Sequence, residues 1–284
     1  MIENKTFANK DELFTYLKQN KDLLITQKKI AVKYADTVDF VSVVESDIDK
    51  SFAVKSESSS EQLDENTIKV KVVINTTNLL DSHGDVHIKG IWNKSCRDRK
   101  KVLLLKSHKL DFEYIISDSA EPSIKSMTWK SLGYDYEGNC QALIFDSEIK
   151  RDRNEYMFNQ YRKGYVTNHS VGMQYVALNL CINSNDKYYA EEKANWDKYY
   201  KEIANKEVAD ERGWFWAVTE AKLIEGSAVV MGSNFATPTL SVKSNLPDYS
   251  TNEDDAESRK KEIEELEAKE LKEFIQQQFK NLRS

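Results

Sequence analysis

The chain has 284 residues, 40% of them apolar and 11% aromatic, enough for one large domain with a substantial core and appendages. Charged residues make up 31% and the net charge is -6, which argues against a dedicated duplex-DNA binder and puts part of the charge on solvated helices or tails. Cys96, Cys140 and Cys181 are odd in number and far apart, so free thiols in a reducing compartment are expected rather than a disulfide framework. No apolar run reaches the length of a membrane span, and the opening MIENKTFANKDELF has no apolar signal core. A soluble chain without a membrane partner is expected.

Three compositional zones follow in order. The first spans 1–66. Asn9 or Asp11 is a candidate cap for a helix carrying Leu13, Phe14 and Leu17. KSESSSEQLDEN at 55–66 is almost free of apolar residues and reads as a linker or surface loop.

The second zone, 67–242, carries most of the strand signal. IKVKVVIN at 68–75 is rich in β-branched residues, and VLLLK at 102–106 suits a short buried strand. The cluster Arg97, Asp98, Arg99, Lys100 and Lys101 between them reads as a solvated turn. IKSMTWKSL and CQALIFDS are strand-like and separated by the turn-rich GYDYEGN. At 151–164 the pattern turns helical, with Tyr156, Met157, Gln160 and Tyr161 at helical spacing and Gly164 as a stop. NHSVGM and LIEGSAVV read as strands on either side of an insertion, 182–212, with a helix predicted through Trp196, Tyr199, Tyr200 and Ile203.

The third zone, 243–284, opens as a linker. It continues as a charged helix with an apolar stripe of Ala268, Leu271, Ile275, Phe279 and Leu282, which calls for a partner surface on its own domain or on another chain.

Only four histidines are available for acid–base chemistry: His83, His87, His108 and His169. A serine hydroxyl needs such a base within reach, and histidine titrates near neutral pH. Ser170 lies on a strand-like segment, with Gly172 two residues on as a place for close backbone approach in an oxyanion site. Its neighbour His169 points to the opposite strand face and is a poor base for it. His108 follows a buried strand and can reach a neighbouring one. Glu225, amid apolar residues, needs a buried partner such as a histidine N–H, with Glu220 as a weaker rival. Gly84 and Asp85 make the segment holding His83 and His87 a turn, so no metal site is expected there. No glycine-rich phosphate loop is present, which argues against nucleotide chemistry, and no cofactor is implied.

The segments LLDSHGDVHIKGIW, VLLLKSHK, YMFNQYRKGYV, NHSVGM and LIEGSAVVMGSNFATP, in that order, resemble the prohead serine proteases of tailed phages, relatives of the herpesvirus maturation protease. The likeness spans roughly 67–240. Asp81, Gly84, Asp85 and Val86 match the first element, followed by Gly90, Ile91 and Trp92; Glu225, Ser227, Asn234 and Pro238 match the last. The resemblance implies His108 as base, Ser170 as nucleophile and Glu225 as the third member, with His83 or His87 as the alternative third member. It also implies a mainly β fold with peripheral helices: an antiparallel herpesvirus-protease-like barrel with helical N- and C-terminal extensions. The implied activity is cleavage of scaffold and major capsid precursor segments inside an assembling procapsid in the host cytoplasm, with self-association and self-cleavage. A catalytically inactive procapsid protein of the same fold, or a host peptidase of prophage origin, is the alternative. Met173 in place of the usual aromatic and the long insertion depart from the pattern.

Overall fold

The computed structural model describes residues 5–33, 55–56 and 64–244. The predicted helix beyond residue 258 and the linker before it lie outside the described residues, as do 57–63 of the expected N-terminal linker. Among the described residues the fold is mixed and mostly sheet, with helices at the periphery.

Two short helices open it, α1 (Lys10–Gln19) and α2 (Lys21–Ile30). Asn9 is the cap: its side chain accepts the Glu12 N–H, and the Glu12 carboxylate accepts the N–H of Ala8, one residue before the cap, at 2.7 Å. Phe14, Leu17 and Leu24 are buried in the main core, so this helical segment belongs to the same hydrophobic cluster as the sheet.

The strands are β1 (Val32–Lys33), β2 (Lys55–Ser56), β3 (Thr67–Thr76), β4 (Asp85–His87), β5 (Val102–Lys106), β6 (Ile115–Thr128), β7 (Asn139–Lys150), β8 (Asn168–Ile182), β9 (Trp214–Val229) and β10 (Thr239–Lys243). Their order is β1-β8-β9-β5-β6-β7-β3-β10-β2, with β4 added to β9. Among the described residues no ladder joins the two ends of this path, so the sheet is open rather than closed by hydrogen bonds. Most pairs are antiparallel, as expected. The pairs of β9 with β5 and β4, and of β10 with β2, are parallel.

Local sequence explains the strands. In β3, Ile68, Val70 and Val72 point into the core, while Lys69 and Lys71 face out, opposite Glu148 and Asp146 of β7. From Val73 onward both faces are buried, with Val73 in a second hydrophobic cluster with Leu79, Trp129, Leu132 and Ala236.

Four further helices flank the sheet: α3 (Asn93–Asp98), α4 (Glu155–Arg162), α5 (Ala190–Tyr199) and α6 (Lys206–Arg212). The expected helix before Ser170 is α4, capped by Asn154 and stopped at Gly164, whose φ is 71°. Its buried face is Met157, Phe158 and Tyr161, whereas Tyr156 is exposed; the face is turned by one residue from the spacing read in the sequence. In the insertion, Trp196, Tyr199 and Ile203 pack on Phe215 and Cys181. Buried Glu192 accepts hydrogen bonds from Lys18 and Lys21, tying α5 to the first two helices. The three cysteines are free thiols, and burial raises Cys96 to about 11 and Cys140 to about 12. No helix among the described residues is long and apolar enough to cross a membrane.

Candidate active site

β9 runs between β8 and β5, and its Glu-Gly-Ser segment organises the site. Ladder register sets Leu103 against Glu225 and Leu105 against Ser227 on the β5 side. On the other side it sets Gly172 against Glu225 and Ser170 against Ser227. Residues paired across a ladder share a face, so Ser170, Gly172, Glu225 and Ser227 lie on one side of the sheet. Gly226 points the other way: a Cβ there would come 2.5 Å from Phe145 and 2.9 Å from Ile74, so only glycine lets those core side chains close on the strand.

His108 reaches this face through an unusual turn. After Lys106 the chain passes through two successive left-handed residues, Ser107 (φ 52°) and His108 (φ 56°). Neither is glycine, and such conformations cost about 1–3 kcal/mol each. The surroundings hold them there. Ser107 N–H donates to the Ala228 carbonyl at 3.0 Å, His108 N–H to Ser227 Oγ at 3.0 Å, and Lys109 N–H to the Lys106 carbonyl at 3.3 Å. The turn swings the imidazole back over β9.

There, His108 Nδ1 and Glu225 Oε1 are 2.6 Å apart, with both side chains buried. Ser227 Oγ donates to Glu225 Oε2 at 2.7 Å. In the tautomer whose Nδ1–H donates to the carboxylate, the neutral ring keeps its lone pair on Nε2. The carboxylate can take this position only because residue 172 is glycine. A Cβ at 172 would stand 2.0 Å from Glu225 Oε1. Gly172, a candidate for close backbone approach at an oxyanion site, also makes room for the Glu225 carboxylate.

Ser170, 6% exposed, lines a cavity with residues that are remote in sequence, including Asn75, Asp81, His83, His87 and Asn234. The first motif thus lies beside the candidate nucleophile. Its parts have structural work. Asp81 Oδ1 accepts the N–H groups of His83 and Asp85, both at 2.9 Å, and closes the turn in which Gly84 has a φ of 76°. Asp85 accepts Tyr175 Oη at 2.7 Å and Lys28 Nζ from α2. Burial, and then the Asp85 charge, raise Asp81 to about 6. His87 Nδ1 meets the Asn75 side chain, and His87 Nε2 lies 3.3 Å from Tyr175 Oη. Asn234 binds the Thr76 carbonyl at 2.8 Å, and the Pro238 carbonyl accepts Val73 N–H at 2.9 Å, which ties the turn after β9 to β3.

The other candidates fall elsewhere. His169 is fully buried; its Nδ1 donates to the Thr237 carbonyl at 3.0 Å and its Nε2 accepts the Tyr161 hydroxyl at 2.9 Å. Burial lowers its pKa to about 4, a neutral histidine used as packing. Glu220 stands opposite Ala177 and pairs at 3.4 Å with Lys94, partly in solvent. Among the described residues no group of His, Cys, Asp or Glu could hold a metal ion. Two contacts are not readable from the sequence: that of the Ser227 hydroxyl with Glu225, although Ser227 belongs to the last matched segment, and that of Lys28 with Asp85. For Lys28 no sequence signal exists, since it lies 57 positions away on a charged helix.

Comparison with family models, with curated proteins and with solved structures finds no match for this chain.

Proposed function

We propose that the chain is a serine endopeptidase of procapsid maturation, with Ser170 as nucleophile, His108 as general base and Glu225 as the group that orients it. One observation carries the reading: the buried His108–Glu225 pair at 2.6 Å, delivered by a strained turn to the sheet face on which Ser170 lies. Burying a charge-assisted pair costs more than an apolar filling of the same space, and two left-handed residues add to that cost. A purely structural role gives no return on it, which favours an enzyme over an inactive procapsid protein.

In this reading His108 Nε2 takes the Ser170 proton as Oγ attacks a peptide carbonyl, and Glu225 stabilises the imidazolium. The proton passes to the leaving amine, and water then hydrolyses the acyl-enzyme. The substrate assignment rests on the ordered resemblance to prohead proteases. It extends to a herpesvirus-protease-like course of the open sheet, self-association, self-cleavage and action on scaffold and capsid precursors within the host cell. Co-expression with scaffold and capsid genes from the same source, followed by mass spectrometry, tests it. Wild type should yield shortened scaffold and capsid chains that Ser170→Ala does not. Intact substrates with both proteins would sink the protease reading.

A further inference from the structure

Ser227 touches both halves of the buried pair. Its hydroxyl proton goes to Glu225 Oε2 at 2.7 Å, and its oxygen receives the His108 N–H at 3.0 Å. The carboxylate therefore has both oxygens engaged, Oε1 by the imidazole and Oε2 by Ser227, which fixes its rotation. The same oxygen satisfies a backbone N–H that has left the β5 ladder in a left-handed conformation. Ser227 itself is fully buried on the central strand, registered against Leu105 of β5 on one side and Ser170 of β8 on the other.

From this geometry we infer that Ser227 is a positioning residue. It couples the His108 backbone to the Glu225 carboxylate and so sets where the imidazole is presented to Ser170. The inference rests on the reading of Ser170 and His108 as nucleophile and base. A serine that merely filled the strand would not need both of its hydrogen bonds to end on the same histidine–carboxylate pair.

A fluorophosphonate probe tests this without knowledge of the peptide substrate. In the labelling step Ser170 Oγ bonds to phosphorus, fluoride leaves, and the hydroxyl proton goes to His108. Full-length Ser227→Ala should label about ten- to a hundredfold more slowly than wild type. Ser227→Thr, which keeps the hydroxyl, should recover much of the rate relative to Ser227→Val, which matches its size without it. The Thr to Val comparison carries the test if the alanine variant is unstable. A second readout is the low-field Nδ1–H proton resonance of His108 in NMR, assigned by its loss in His108→Gln. It should move or broaden in Ser227→Ala and return in Ser227→Thr. Wild-type labelling in Ser227→Ala with an unmoved resonance overturns the inference, as do equal rates and spectra for Thr and Val. If wild type itself fails to label, the protease reading falls; the resonance still reports whether Ser227 positions His108.

Discussion

His108 and His169 are both nearly or fully buried, and each places Nδ1 on an oxygen, yet they sit in opposite electrostatic settings. His169 lies between a carbonyl and a phenol, both neutral, and burial lowers its pKa to about 4. His108 lies against a carboxylate that is itself fixed by Ser227. Burial alone therefore does not tell the two histidines apart. The charge of the Nδ1 acceptor does: a carboxylate is the partner that the proposed base requires, and a neutral carbonyl is not.

The comparison breaks most sharply at the proposed nucleophile and base. Ser170→Ala and His108→Ala should each reduce scaffold processing by about 10^4-fold or more, with unchanged far-UV circular dichroism. A smaller loss for His108→Ala would show that another group serves as base. Gly172→Ala should come next. The new methyl overlaps Glu225 Oε1, so the carboxylate must leave its place or the two strands must part. Labelling by the fluorophosphonate should fall by about 10^2-fold, with a stability loss of about 1–3 kcal/mol by urea denaturation. Full labelling in that variant would remove Glu225 from the catalytic group.

His169 should behave in the opposite way. Replacing it by Phe leaves the Tyr161 hydroxyl and the Thr237 carbonyl without their ring partner, at a cost of about 1–3 kcal/mol, while labelling of Ser170 stays within about twofold of wild type. Its signature is also visible in pH dependence. The folded pKa of about 4 is below the ordinary 6.5, so the unfolded chain binds the proton that the folded chain refuses. This contribution is complete above about 6.5 and is lost as pH falls toward 4. Asp81 acts against it. Raised from 3.8 to about 6, it contributes stability below its unfolded value that is lost as pH rises through about 6. Asp81→Asn should therefore steepen the gain of stability between pH 4 and 6, and His169→Phe should flatten or reverse it. Parallel urea titrations at pH 4.5, 5.5 and 6.5 read both (conditions chosen to span that window). Identical slopes in all three proteins would refute this assignment.

Much of this was legible in the sequence because it is local. VLLLK is a strand because four apolar residues run together, and Asn154 to Gly164 is a helix because cap, apolar spacing and glycine stop agree. The separation of His169 from Ser170 follows from strand alternation alone. What was not legible is non-local or against propensity. The parallel pairing of β5 with β9 joins segments more than a hundred residues apart, and it brings His108 to Glu225. The left-handed turn at Ser107 and His108 contains no glycine to announce it, since hydrogen bonds that its N–H groups donate to β9 enforce it. The purpose of Gly172 depends on a side chain from another strand.

The smallest expected effect sharpens the same contrast between two acids five positions apart on β9. Glu225 and Glu220 were rivals for one role. Their surroundings differ in a way that alternation does not reveal, because the ladder between β8 and β9 shifts register twice between them, opposite Gly172/Met173 and Tyr175/Ala177. Glu220 is left beside Lys94 at the solvent boundary, where an ion pair is worth about 0–1 kcal/mol. Glu220→Gln should change stability by less than about 0.5 kcal/mol and leave labelling unchanged. Glu225→Gln replaces an anion with an amide that must turn one oxygen or one nitrogen toward His108 and Ser227. It should slow labelling by about 10^3-fold or more while the protein stays folded, since the packing around Gly172 is retained. Comparable rates for the two variants would mean that the carboxylate opposite Gly172 is a buried strut. The short contact to His108 would then mark stability rather than catalysis.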